Sequence, residues 1–359
     1  MAKKTIIKPY KKSETQIKYE NNVILHPLRQ LLPKAPSGRT HPIVLPKYIS
    51  FTIEEDTNKL CLYIQEQEGV CEGKKKTENA TYRNMQSDNA AFEGWAVCLK
   101  AWLPNIISSV ELKWDEPNID EGDNKWCHYR RFLYRVLRFS EQYDWFEISP
   151  YNQHAIECFK KELKYLNNNN FSKIPAPKGD FENLGETAVE FLMANTLSED
   201  IKNQFNLDYV DRQFPVGVRQ NGKNFFTGGL SAIDLWGTKN DVLSIIELKY
   251  IDTKKQSKNI KVGIISELFM YSCIMRDILN GLIEKPESTP NKHEDTLYRE
   301  KDKYTRICAY MLANEYHPLV DSQEVINVLN NYSREGNRVV VDFEKSTYQL
   351  LSKDKIAFL

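Results

Sequence analysis

Asp234, Glu247 and Lys249 are the residues of this chain whose types and spacing can do chemistry. Asp234 lies in the strand-like run LSAIDLWG. A GTKND turn follows, and Glu247-Leu248-Lys249 ends the next run, VLSIIELKY. Alternation along a strand sends Glu247 and Lys249 to one face, roughly 6–7 Å apart, and Ile246 and Leu248 to the other. If the two strands pair across the turn, Asp234 comes beside Glu247 at the same end. Carboxylates among Ile and Leu are costly to bury unless they are paired or hold a cation. A divalent cation on Asp234 and Glu247 would offset that cost, with the Leu248 carbonyl as a third oxygen ligand. The plainer reading is a structural ion pair of the three side chains at a sheet edge.

The elements that must position these residues sit in a chain of 359 residues and 41.9 kDa, 41% hydrophobic and 27% charged. That length exceeds one typical domain, and the apolar fraction is enough for an ordinary core. Lys+Arg and Asp+Glu are both 49, so any case for nucleic-acid binding must come from local patches. No apolar run nears the roughly 18 residues that span a bilayer, and MAKKTIIKPYKKSE lacks an apolar secretory core. A cytoplasmic location is the expectation. The 7 cysteines form no CxxC and the 6 histidines no HExxH. A metal here would therefore be held by carboxylates, which selects a hard cation, Mg²⁺ or Mn²⁺.

The first 22 residues read as a polar arm, and Pro27 to Pro46 as irregular chain. YISFTIEE and KLCLYIQEQ read as a hairpin, NAAFEGWAVCLKAWL as a helix, SSVELKW as a strand and WCHYRRFLYRVLRF as an amphipathic helix. These make residues 1–166 an α+β domain for recognising a substrate or a partner. NNNNFSKIPAPKGD, residues 167–180, reads as the linker. Residues 181–359 run helix, three strands, a long helix over 259–283, and the strand RICAYMLA, with KPESTPNKHEDTLYREKDK a polar insertion. Edge strands close the chain. The order describes an α/β domain with a mixed central sheet flanked by helices.

With this context the 234–249 pattern resembles the PD-(D/E)xK nuclease superfamily, over roughly residues 180–345. The resemblance implies a restriction-endonuclease-like fold and a Mg²⁺- or Mn²⁺-dependent phosphodiesterase, an endonuclease ahead of an exonuclease. By it, Asp234, Glu247, the Leu248 carbonyl and Glu186 (or Glu190, one turn on) hold the metal, and Lys249 orients or deprotonates the attacking water. Gly228-Gly229 falls where many members have a glycine turn. Glu267 and Tyr271 match the Gln-x-x-x-Tyr spacing of the exonuclease-like branch, with Glu in place of Gln, which implies a nucleic-acid-binding role for Tyr271, and Ile233 stands where the family has Pro. A second Glu-Leu-Lys, Glu111 to Lys113, lacks a strand ending in Asp upstream.

Lys254, Lys255, Lys258 and Lys261 follow the motif, where they either hold flanking phosphates or start a solvated helix. Arg131, Arg135 and Arg138 form a stripe opposite Phe132, Val136 and Leu137. An exposed polar face is the favoured reading of that stripe, a track for a phosphate backbone the other. The five tryptophans of the first domain, Trp95 to Trp145, read as core. The resemblance implies DNA ahead of RNA as substrate and, by analogy, a restriction or anti-phage role. The alternative is a non-catalytic subunit that keeps the fold to bind nucleic acid or an ATPase.

Overall fold

The computed structural model describes residues 12–34, 43–71, 74–120, 122–169, 185–226, 231–251, 262–287 and 291–359. They divide into two compact units. The first is drawn from Met1–Lys161, Ile260–Ser266 and His317–Tyr332, the second from Glu162–Asn259, Glu267–Tyr316 and Ser333–Leu359. The division in sequence is thus interleaved, with two later segments returning to the first unit.

The first unit holds a mixed sheet in which β1 (Ile49–Glu54) pairs antiparallel with β2 (Lys59–Ile64). β2 and then β4 (Phe146–Ile148) lie parallel to β3 (Ser109–Trp114). Val110, Leu112 and Trp114 are fully buried on one face of β3, against α1 (Phe92–Trp102) and α2 (Asn124–Gln142). Alternation sends Glu111 and Lys113, of the second Glu-Leu-Lys, to the other face, where the Lys113 ammonium sits 5.0 Å from the ring centres of Tyr63 and Tyr151.

Two expectations for this unit give way. Residues 14–31 are helical, with Ser13 capping the start, its Oγ accepting from the Gln16 N–H. Lys12 and Glu20 are buried and paired at 2.8 Å, which a polar arm would not do, and Leu28, in the stretch expected to be irregular, is buried in a helix. The arginine stripe on α2 is not exposed either: Arg131 and Arg135 are only 5% and 2% accessible. The Arg131 guanidinium donates to the Arg83 carbonyl and meets His128 Nδ1. Arg135 forks onto Glu93 of α1, with Nε 2.6 Å from Oε1 and Nη2 on Oε2, and Ser266 Oγ donates to that same carboxylate. Neither side chain has a face to offer a phosphate backbone. Arg135→Ala leaves the Glu93 charge buried without its partner and should cost about 3–5 kcal/mol of stability. Replacing both partners by apolar residues should cost much less. Urea unfolding of the single and double variants measures the difference.

The second unit carries a six-stranded sheet among the described residues. It begins with α3 (Glu186–Ala194) and α4 (Ser198–Phe205), then β5 (Tyr209–Pro215), β6 (Ala232–Lys239) and β7 (Val242–Lys249) as an antiparallel meander. The helix α5 (Gly263–Leu279) leads to β8 (Arg306–Ala313), parallel to β7. β9 (Val340–Ser352) runs parallel to β8 and β10 (Lys355–Phe358) closes the edge, so β9 is interior and not the edge strand expected. The polar insertion contains a helix, Lys292–Arg299, and Leu166–Asn168, at the start of the expected linker, pairs with Val218–Gln220 and Ile283–Glu284. Leu235, Ile246, Leu248 and Leu312 pack with Val189, Met193, Ile201 and Phe205 of α3 and α4 in one apolar cluster. No helix among the described residues is long and apolar enough to cross a membrane.

Candidate active site

β6 and β7 pair from Lys239↔Val242 to Leu235↔Ile246 across the turn Asn240-Asp241, and the same register sets Asp234 opposite Glu247. Asn240 takes the left-handed conformation (φ 52°) that so short a hairpin turn demands. Because side chains alternate, packing Ile246 and Leu248 into the cluster with α3 and α4 forces Glu247 and Lys249 to the opposite face. The Asp234 carboxylate is fixed by the Leu248 N–H, which donates to Oδ2 at 2.8 Å. On the far side of Asp234, the β5 pairing runs from Ile233↔Phe214 to Leu235↔Arg212. Between those pairs, opposite Asp234, Gln213 stands at φ 57°, a strained value for a residue with a side chain.

The Lys249 ammonium gathers the remaining acids. Its Nζ lies 2.6 Å from Glu247 Oε1, 3.3 Å from Glu267 Oε2 on α5 and 3.4 Å from Glu186 Oε1 on α3. The Glu247 and Glu267 side chains are 3% and 1% exposed, whereas that of Glu186 is 42% exposed. Glu186 Oε2 also accepts from the Tyr250 N–H at 3.3 Å. Two residues the sequence did not single out hold the end of β7. Asn314 exchanges side-chain hydrogen bonds with both backbone groups of Ile251, and the buried Tyr348 hydroxyl donates to the Lys249 carbonyl at 3.4 Å. An Asn or Tyr in such a role leaves no signal in spacing.

Other expected site residues fall elsewhere. Glu190 is buried and paired with Arg212 at 3.2 Å and Gln213 at 3.4 Å, so its carboxylate is already committed. Tyr271, expected at a nucleic-acid surface, is 4% exposed on the same helical face as Glu267, and with no exposed surface it does not serve as a stacking platform. Lys254, Lys255, Lys258, Lys261, Gly228 and Gly229 lie outside the described residues.

Burial pushes the Asp234 carboxyl up to about 8, and the charges of Glu186 and Glu190 add to that against the pull of Lys249. Glu247 is also pushed well up, by burial first and then by Asp234 and Glu267. For Lys249, burial works against the charge, but Glu247, Glu267, Asp234 and Glu186 outweigh it and hold the ammonium protonated well above the ordinary range. A carboxyl that binds its proton more tightly folded than unfolded stabilises the fold at low pH, and that stability is lost as pH rises through the folded value. Without divalent cations the protein should therefore lose stability between about pH 4 and pH 8. A cation competes with those protons, so the rise in Tm on adding Mg²⁺ should grow with pH across the same window. Melting curves at pH 5, 6.5 and 8, with and without Mg²⁺, test both trends.

The donor set suits a hard cation. Asp234 and Glu247 bring carboxylate oxygens to one spot, and Glu247 Oε2 is buried without a hydrogen-bond partner. Among the described residues no three His, Cys, Asp or Glu side chains form a ready-made metal cage. Two carboxylates are nonetheless the usual protein share for Mg²⁺, which keeps waters and takes substrate phosphates for the rest. No family model matches this chain, and neither does any curated protein or solved structure.

Proposed function

We propose that this chain is a metal-dependent nuclease that hydrolyses phosphodiester bonds in DNA. The observation that carries the reading is Asp234 held opposite Glu247, with a partnerless buried oxygen on Glu247 and the Lys249 ammonium 2.6 Å from its other oxygen. Buried carboxylates with an oxygen left partnerless mark a candidate functional site. The helix, three-strand meander, crossover helix and parallel strand supply support of a second kind, since that order is what the resemblance to restriction-endonuclease-like proteins implies.

Asp234 and Glu247 would hold the cation, and Glu186 would join it through water. When bound, Mg²⁺ or Mn²⁺ polarises the phosphate and lowers the pKa of a coordinated water. Lys249 orients or deprotonates the attacking water and balances the negative charge that builds on the phosphate in the transition state. The resemblance implies products with 5′-phosphate and 3′-hydroxyl ends and, by analogy, a restriction or anti-phage role.

A second reading has its own observation. Lys249 already meets three carboxylates, a network that can stand without a cation, as in a non-catalytic subunit that keeps the fold for binding. Supercoiled plasmid separates the two. Nicking or linearisation that requires Mg²⁺ or Mn²⁺ supports the nuclease; retention of the plasmid in a gel shift with no cleavage in either metal supports the binding subunit.

A further inference from the structure

Resting on the nuclease reading, a role can be assigned to Glu267, the residue that stands where the resembling branch carries Gln. The Lys249 ammonium meets three carboxylates of unequal kind: it donates hydrogen bonds to Glu247 and Glu186, and Glu267 faces it as an ion pair. Glu247 is nearest but is also the group a cation would engage. Glu186 sits at the mouth of the site with a side chain 42% exposed, where water competes for the pair. Glu267 is 1% exposed, comes from α5 and not from the strand, and meets the ammonium at 3.3 Å in low-dielectric surroundings.

A dication arriving on Glu247 repels the ammonium beside it. A four-carbon lysine stem is flexible and can carry its charge out to solvent. With Glu247 taken and Glu186 hydrated, only a buried carboxylate on a separate element can keep Lys249 at the reacting phosphate. A neutral Gln offers a hydrogen bond but no opposing charge.

We propose that Glu267 is a positioning residue that retains the Lys249 ammonium in the site once a divalent cation occupies Glu247. It touches neither substrate nor cation and acts through the lysine.

The test reads the lysine directly, by ¹⁵N-resolved NMR of the lysine side-chain ammonium groups, with Mg²⁺ binding followed in parallel by calorimetry. The resonance that disappears in Lys249→Met is that of Lys249. It should persist on Mg²⁺ loading in the wild type and in Glu186→Gln, and vanish into exchange with water in Glu267→Gln although that variant still binds Mg²⁺. Glu267→Asp, which restores a carboxylate, should recover the signal. If Glu267→Gln does not fold, Glu267→Met takes its place, with the same loss of signal expected on Mg²⁺ loading. Persistence of the loaded signal in Glu267→Gln, or its loss in Glu186→Gln instead, overturns the positioning role and leaves the nuclease reading standing. A wild type that binds no Mg²⁺ overturns both.

Discussion

Metal-dependent plasmid cleavage should fall to background in Asp234→Ala and in Glu247→Ala. The two carboxylates face each other across one hairpin, and between them they supply the anionic charge a hard cation needs, so either loss should remove the cation and the chemistry together. Stability should move little, because each substitution also relieves a carboxyl that burial holds well above its ordinary titration range. Glu111→Ala is the internal control. It alters an identical tripeptide in the other unit, on the open face of β3 where Glu111 neighbours Glu147, a partner whose carboxylate is spoken for by Lys59 at 2.9 Å. That variant should cut at the wild-type rate. Equal cleavage by Asp234→Ala, Glu247→Ala and the wild type would mean the site lies elsewhere.

Lys249→Ala should lose roughly 10²–10³ in kcat, the cost of one missing electrostatic contact to a transition state. Metal binding should not weaken with it. The ammonium competes with a cation for Glu247, so its removal leaves Mn²⁺ binding at least as tight as in the wild type. A fall in kcat with unchanged metal affinity identifies an interaction made in the transition state and not in the ground state. Single-turnover cleavage beside a Mn²⁺ isotherm gives both numbers, and an isotherm that collapses in the variant would make Lys249 a structural prop for the acids.

Much of the second unit was legible because one rule, the period of two along a strand, acts on a pure signal. Ile246 and Leu248 can only go to the core, so Glu247 and Lys249 must go to the other face. The paired acids followed from a tight turn that admits only one register. The arginine stripe failed for the opposite reason. Arg131 and Arg135 lie on a charged helical face that reads as solvated, and what buries Arg135 is Glu93, a partner 42 positions away that periodicity on α2 cannot reveal. Glu267 was visible as an acid in place of an amide, but its contact with Lys249 is a fact of three dimensions. Asn314 and Tyr348 support the end of β7 through backbone groups, and backbone groups are the same in every sequence.

The hairpin that opposes Asp234 and Glu247 also works as a ruler. Five ladder pairs and a two-residue turn account for every position between the two acids. Each further rung adds one residue to both strands, so the sequence interval between the acids can change only in steps of two without turning one of them away. Deleting a single residue of β7 between the turn and Glu247 would swing Glu247 into the apolar layer and bring Leu248 round to face Asp234. Deleting one residue from each strand would keep the acids opposed and merely shorten the arm that carries the turn. The length of this hairpin is therefore open to variation, and its parity is not.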